Sequence, residues 1–354
     1  MAMRWGVILS MSLGVLSVSP SGATAEPETS MGAHGLRLPA SFAGVLPCAD
    51  CPGIRHHLDL WPDGGYALRR DYIDRDRTED ALGRWHVDPA RSALVLTGPD
   101  AMEWQILGNG HLRLMDQEGQ PIESDLPYGL EPGPLDPFDL ALPMTGEFVY
   151  FADAALFTEC MTGQRFPVVM EEDYLALERA YLDARAAPMA PLLARIDGRI
   201  AEAEQMEGPP RRSVTVERLH HVTPGGACAT ARAPAELINT YWRILEIGDD
   251  DLPTDGGGRE PYLVLLPGEE GRFAATVGCN TMIGGFEQDG AALSFGQVAS
   301  TLMACPPELD GFERALAELL GAVASQDSDG HALRLRDGDG RVLARLRAVH
   351  TPQF

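Results

Sequence analysis

Apolar and polar residues alternate with a period of two through much of residues 37–128. Ile54, His56, Leu58 and Leu60 interleave with Arg55, His57 and Asp59, the pattern of a strand with one face buried and one face wet. Asp63-Gly64-Gly65 interrupts the run and Tyr66-Ala67-Leu68 resumes it, which predicts a hairpin. Trp85, Leu94, Leu96, Trp104, Ile106, Leu112 and Leu114 carry the rhythm on in short segments. Short strands at regular spacing predict an antiparallel sheet closing into a small barrel.

Residues 138–230 mix the two periods. Glu171-Glu172-Asp173 places negative charge where a helix macrodipole favours it, and Tyr174, Leu177, Ala180, Tyr181 and Ala184 then share one helical face until Pro188 stops the run. Ser213-Val-Thr-Val-Glu-Arg-Leu219 reads as a strand. Residues 235–354 are β-rich again, with one amphipathic helix carried by Phe312, Ala315, Leu316, Leu319, Leu320 and Val323. A hairpin follows, with Leu333-Arg-Leu335 and Val342 to Leu346 flanking the turn Asp337-Gly-Asp-Gly340. Two Pro- and Gly-rich stretches, Gly129 to Pro137 and Thr223 to Pro234, separate these units, and their composition is expected to exclude helix and central strand. The expected fold class is mainly β with a few helices, in three units. A chain of 354 residues has room for two or three domains.

Charge narrows the function. There are 52 acidic residues against 28 basic ones, for a net charge of −24, and every basic residue is arginine. An acidic surface argues against nucleic-acid binding and against docking on an anionic membrane, because both need a basic face. The lack of lysine removes Schiff-base chemistry and the phosphate-loop lysine. At the N-terminus, Arg4, the apolar run Trp5 to Val18 and the small-x-small sequence Ala23-Thr24-Ala25 read as a secretory signal over residues 1–25, with Glu26 as the mature start. The alternative is an uncleaved N-terminal membrane anchor. No later segment has the ~18 consecutive apolar residues of a membrane span. A soluble periplasmic protein is expected after signal cleavage.

All six cysteines follow that signal, at Cys48, Cys51, Cys160, Cys228, Cys279 and Cys305. An even number in an oxidising compartment reads as a disulfide framework. Two cysteines fall in each unit, which selects Cys48–Cys51, Cys160–Cys228 and Cys279–Cys305 from the fifteen possible pairings.

The first two units resemble the NlpE family of envelope proteins, also called copper-resistance proteins. The resemblance rests on Phe42-Ala-Gly-Val-Leu-Pro-Cys-Ala-Asp-Cys-Pro-Gly-Ile54, Leu58-x-Leu60, Asp63-Gly64-x-Tyr66 and Gly83-x-Trp85. It continues through Gly146-x-Phe-x-Tyr150, Ala152 to Ala155, Phe157, Cys160, Thr162-Gly163 and Leu177-Glu178-x-Ala-Tyr181. It implies a lipocalin-like barrel carrying the CxxC and an OB-like barrel closed by Cys160–Cys228. The third unit looks like a META domain, the module of the HslJ heat-shock family. Leu237-x-Asn-Thr-x-Trp242-Arg, Gly278-Cys-Asn280, Gly284-Gly-Phe286, Leu293-x-Phe295 and Ser300-Thr301-x-Met-Ala-Cys305 carry that likeness. Family members are typically lipoproteins with a lipidated cysteine at the mature N-terminus. Here the first cysteine is Cys48, with no lipobox cysteine at the signal.

Candidate chemistry centres on Cys48-Ala-Asp-Cys51. Catalytic CxxC motifs sit at helix N-termini, where the dipole lowers the thiol pKa. Pro52-Gly53 and then a strand follow this one, and Arg55, opposed by Asp50, is the only cation near it along the chain. A structural or sensing disulfide is expected. His56-His57 and His220-His221 are the copper candidates. Neighbours on a strand face opposite ways, so neither pair chelates through both rings. The thirteen methionines are scattered, and Asp337 to Gly340 lacks the downstream ligands of a calcium loop. No catalytic, cofactor-binding or metal-ligating residue is assigned. The expected function is a non-catalytic periplasmic envelope protein, a stress, redox or surface-sensing or interaction module, whose partners are other envelope proteins such as sensors or outer-membrane proteins. The alternatives are binding of an apolar ligand or copper, and weak thiol–disulfide exchange. A closed apolar cavity in the first barrel would favour the ligand, and a barrel filled by side chains the interaction module.

Overall fold

The computed structural model describes residues 30–205, 208–229, 234–252 and 258–352. The expected signal, residues 1–25, lies outside them. A short hairpin, β1 (Ser30–Met31) and β2 (Arg37–Leu38), leads into the first barrel. The barrel comprises β3 (Ala40–Leu46), β4 (Ile54–Leu60), β5 (Gly65–Tyr72), β6 (Thr78–Asp88), β7 (Ala93–Thr97), β8 (Met102–Ile106), β9 (Leu112–Leu114) and β10 (Gly129–Gly133). Seven of these strands follow one another as antiparallel neighbours, and β10 closes the ring between β9 and β3. Gly64 turns β4 into β5 with a φ of 85°, a conformation that costs glycine little. Register sets Phe42 opposite Leu58, and Leu58 opposite Leu68, so the alternating apolar set points one way. With Tyr66, Trp85, Leu94 and Trp104 it forms a single buried cluster, the core of the barrel.

Two expectations about this barrel are corrected. The Pro- and Gly-rich stretch after residue 128 is not purely a linker, since its first five residues are β10. That strand pairs with β9 at Gly129 and Leu130 and with β3 from Glu131 to Gly133. Each of its residues needs only one neighbouring strand, which makes room for Pro132. Asp59, on the face expected to be wet, is fully buried. It accepts the Ser41 hydroxyl at 2.5 Å and lies 3.1 Å from His57 Nε2. The chain leading to the second barrel covers it, with Phe138 packed 4.8 Å from the His57 ring and the Asp136 N–H donating to Ser41 Oγ.

The second barrel contains β11 (Leu140–Phe151), β12 (Ala154–Glu159), β13 (Arg165–Val169), α1 (Tyr174–Ala184), β14 (Leu192–Ala203) and β15 (Arg211–Thr223). Its strand order is β11-β12-β13-β15-β14, with β13 and β15 parallel. Helix α1 bridges that parallel step and buries Tyr174, Leu177 and Tyr181 against Phe148 and the barrel core. Asp173 precedes it, but its carboxylate accepts the Leu219 N–H of β15 instead of capping the helix. The helix ends at Ala184, before Pro188.

The third unit is a ten-stranded sheet curled around one helix. Its elements are β16 (Tyr241–Ile247), β17 (Asp250–Asp251), β18 (Tyr262–Leu266), β19 (Arg272–Thr276), β20 (Met282–Asp289), β21 (Ala292–Phe295), β22 (Ala299–Ser300), α2 (Pro307–Ala322), β23 (Ser325–Asp329), β24 (Ala332–Arg336) and β25 (Val342–Val349). The last strand pairs back onto β16, so the sheet wraps a core of Trp242, Phe273, Leu316, Leu320, Leu335 and Leu346. Helix α2 starts earlier than the apolar stripe suggests, with Pro307 at its head and Glu308 and Asp310 in its first turn. The fold is mainly β with two helices among the described residues.

Candidate functional site

The Cys48–Cys51 disulfide closes the turn between β3 and β4 at one end of the first barrel, with Cα atoms 5.3 Å apart. Both cysteines are half-buried and the Ala49-Asp50 tip is exposed. Gly53 accepts the Ile73 N–H, and Ile54 opens β4 directly, so no helix dipole points at either sulfur. Arg55 does not serve the loop. It pairs with Asp71 at 3.1 Å, while Arg75 from the β5–β6 turn reaches Asp50 at 2.8 Å. Turn-to-turn contact thus supplies the nearest cation, which spacing along the chain did not show.

The Cys160–Cys228 disulfide ties the segment after β15 to the turn after β12, across 68 residues. That turn is organised by buried Glu159, whose carboxylate accepts the N–H groups of Met161 and Thr162 and the Thr162 hydroxyl. Glu147 on β11 accepts the Cys228 N–H at 2.9 Å. The Cys279–Cys305 disulfide joins the turn after β19 to the head of α2. Beside it Asn280 gathers five hydrogen bonds. Its amide reaches Cys305 Sγ and Glu313, its N–H reaches Glu313 at 2.8 Å, and its Oδ1 accepts from Met303 N–H and Thr301 Oγ1. Asn280 therefore straps the 299–305 segment to the helix. On that strap Leu302 is 96% exposed and Met303 is open to solvent, as is Ile283 of β20.

Among the described residues, two sets of groups come close enough to share a cation, Cys48, Asp50 and Cys51, and Cys279, Cys305 and Glu313. In both the sulfurs are joined to each other, so a thiolate exists there only after reduction. The paired histidines diverge. His56 is buried in the first barrel, 6.3 Å from the Trp104 ring, where burial lowers its pKa, while His57 turns outward to Phe138. His220 binds Asp197 at 2.8 Å at a bulge in β15, and His221 is exposed beside it. No helix among the described residues is long and apolar enough to cross a membrane.

Three family models match successive parts of the chain. They are the NlpE N-terminal domain over residues 42–125, the NlpE C-terminal OB domain over residues 140–229 and the META domain over residues 235–350. Lipoprotein NlpE of Escherichia coli (strain K12) is 35% identical over 205 residues, covering 54% of this chain and 82% of that protein. The chain belongs to the NlpE family. Among solved structures, the Cpx pathway activator NlpE from Escherichia coli is 32% identical and covers 55% of this chain and 100% of its own, with a TM-score of 0.25. A protein from Burkholderia xenovorans is 22% identical and covers 35% of this chain and 95% of its own, with a TM-score of 0.28. The NlpE N-terminal match contains the Cys48–Cys51 loop, and the NlpE OB match contains Cys160 and Cys228.

Sequence reasoning missed the roles of Asn280 and Glu313, although Asn280 stands inside a motif that carried the META likeness. An Asn following a cysteine at a turn is the available signal, since its side chain readily bonds nearby backbone. It also missed the hairpin at residues 30–38. Met31 and Ala33 of that hairpin bond to Glu260, and Leu36 and Leu38 enter the core of the first barrel.

Proposed function

We propose that this chain is a non-catalytic protein of the cell envelope that reports on redox or surface conditions by engaging other envelope proteins. The E. coli relative is a Cpx pathway activator, and this reading extends a signalling role of that kind to the present chain. It treats the chain as three domains after a secretory signal. These are a barrel carried by residues 37–128 and closed by β10, with the Cys48–Cys51 loop, an OB-type barrel over 138–230 and a META domain over 235–354.

The observation that carries the reading is the Cys48–Cys51 loop itself. It is half-exposed at a barrel end, it is followed by a strand, and its closest fixed charges are Asp50 and Arg75. A ring this small stabilises the fold by only about 2 kcal/mol on loop-entropy grounds. Its reduction changes a local surface and leaves the barrel core of Phe42, Leu58 and Trp104 intact, which suits a reporter. A catalyst needs an accessible low-pKa thiolate, whereas no helix N-terminus faces Cys48 and Arg75, the nearest cation, is paired with Asp50.

The test compares the wild type with Cys48→Ser/Cys51→Ser in an envelope-stress reporter strain, beside an insulin-reduction assay. The expected result is a changed reporter output with insulin reduction at background. Turnover like that of a thioredoxin, or a Cys48 pKa well below the ~8.5 reference, would overturn the proposal.

A further inference from the structure

Between the first and second barrels lies an open cleft of about 650 Å³ into which three arginines converge, Arg165, Arg211 and Arg212. Arg165 and Arg211 are the first residues of β13 and β15, which run parallel with Val168 opposite Val214. Counting back along both strands sets the two guanidinium-bearing positions level with each other. Like charges held side by side repel, and the arrangement is costly unless an anion lies between them. Arg212 is half-buried, with its guanidinium 5.7 Å over the Trp61 ring of the first barrel. Burial works against the charged form of Arg212, while Asp59, Asp139 and Glu202, which faces it across the β14–β15 ladder, favour it.

Several arginines of this chain are neutralised by carboxylates within the fold. Arg69 meets Asp80, Arg91 meets Asp88 and Glu103, and Arg334 and Arg336 share Asp327. In the cleft, the three arginines make no ion pair among the described residues, in a chain where acids outnumber arginines 52 to 28. Asp63 is the one carboxylate in the lining, and it is already engaged. Its Oδ1 accepts the Gly65 N–H at 2.9 Å and its Oδ2 accepts the Gln164 amide at 3.3 Å. Beside Gly163 and Gln164, the rest of the lining, Leu156, Phe166 and Pro167, is apolar.

We infer that this cleft binds a phosphate group, free or at the head of a lipid. Planar guanidinium forks bond phosphate oxygens in pairs, and three of them match a group carrying more than one negative charge. The apolar wall offers a place for the carbon part of an organic phosphate. The site works locally against the acidic field of the whole protein, and salt screens both the attraction of the arginines and that repulsion.

The experiment is calorimetric titration of the full chain at low ionic strength with two probes, inorganic phosphate and dihexanoyl phosphatidic acid below its micelle concentration. The variants are Arg165→Glu/Arg211→Glu, both at exposed positions, and the milder Arg211→Lys. Melting temperature checks that each variant folds. Binding of either probe is expected to fall about tenfold or more in the double variant and less in Arg211→Lys, which keeps the charge but loses the fork. Binding of both probes with that loss identifies phosphate itself as the recognised group. Binding of the lipid alone, with the same loss, identifies the headgroup with its chain as the ligand. Binding unchanged in the folded double variant, or no binding of either probe to the wild type, overturns the inference.

Discussion

Trp85 of the first barrel stacks on His350 at the end of the META sheet, with ring centroids 5.3 Å apart and planes 15° from parallel. His34 of the N-terminal hairpin stands edge-on to both rings, 5.6 Å from Trp85 and 4.4 Å from His350. Val87 N–H donates to the His350 carbonyl, and His350 Nε2 lies 3.1 Å from Glu260. Glu260 also accepts from Ala33 N–H and from Arg243. Nearby, Asn239 donates to Asp88 and accepts from Ala90. Three segments far apart in the chain thus share one buried cluster, and the first barrel and the META unit are packed together through it.

Replacing His350 with Ala removes the stack and takes one partner from buried Glu260. A loss of about 1–3 kcal/mol is expected, the range for leaving a buried polar group short of a partner. Chemical denaturation followed by tryptophan fluorescence measures it. Asn239→Ala, in the same junction but outside the ring stack, should cost less. Equal losses would show that the stack contributes nothing of its own.

Acid should loosen the same junction. His34 Nδ1 accepts the Leu36 N–H, so its proton sits on Nε2, which meets no acceptor among the described residues. Burial, then the neighbouring His350 and Arg259, hold its pKa well below 6.5, and Glu260 opposes them only in part. As pH falls below 6.5, the unfolded chain takes a proton on His34 that the folded chain refuses. Stability then drops as pH drops. Burial works against the Glu260 carboxylate, yet the hydrogen bond and charge of His350, Arg243 and the Ala33 N–H hold its pKa down to about 2. Its stabilising share is present above the ordinary carboxylate range and is lost as pH falls toward about 2. Melting temperatures between about pH 7 and pH 5 should fall less steeply in His34→Asn, which keeps an acceptor but does not titrate. His56 and His86, also lowered by burial, leave some slope behind.

The three disulfides should differ in worth. Loop entropy gives about 4.5 kcal/mol for Cys160–Cys228, about 3.5 for Cys279–Cys305 and about 2 for Cys48–Cys51. Thermal melts of the paired Cys→Ser variants should rank in that order. Equal shifts would count against loop length as the cause.

Asn280 is expected to govern the strap that exposes Leu302. Asn280→Ala removes the Asn280 side-chain bonds to Thr301, Met303, Glu313 and Cys305, while the backbone N–H bond to Glu313 and the Cys279–Cys305 bridge stay in place. Limited proteolysis should then cut within residues 298–304 faster than in the wild type. Global stability should fall by about 1–3 kcal/mol, because partners of Asn280 are partly buried. An unchanged cleavage rate would mean that the disulfide alone holds the strap.

The period-two runs by themselves determined the β4–β5 and β24–β25 hairpins, the short strands of the first barrel and the mainly-β class. The 3.6-residue stripes determined both helices, because burying one face is a local property of side-chain spacing. Barrel closure by β10 was not legible, since Gly and Pro argue against a strand wherever two neighbours must be paired. Only the ring geometry shows that each residue there needs one. Asp59 reads as solvent-facing because alternation knows nothing of the chain at Asp136 to Asp139 that later covers it. The arginine cleft joins positions 165, 211 and 212 through a parallel pairing, and parallel partners leave no hairpin signature between them. The stack of Trp85 on His350 spans most of the chain, with His34 brought in from the other end. Local periodicity chooses which face of each element is apolar, while the contacts between finished units depend on shapes that exist only after those faces have been buried.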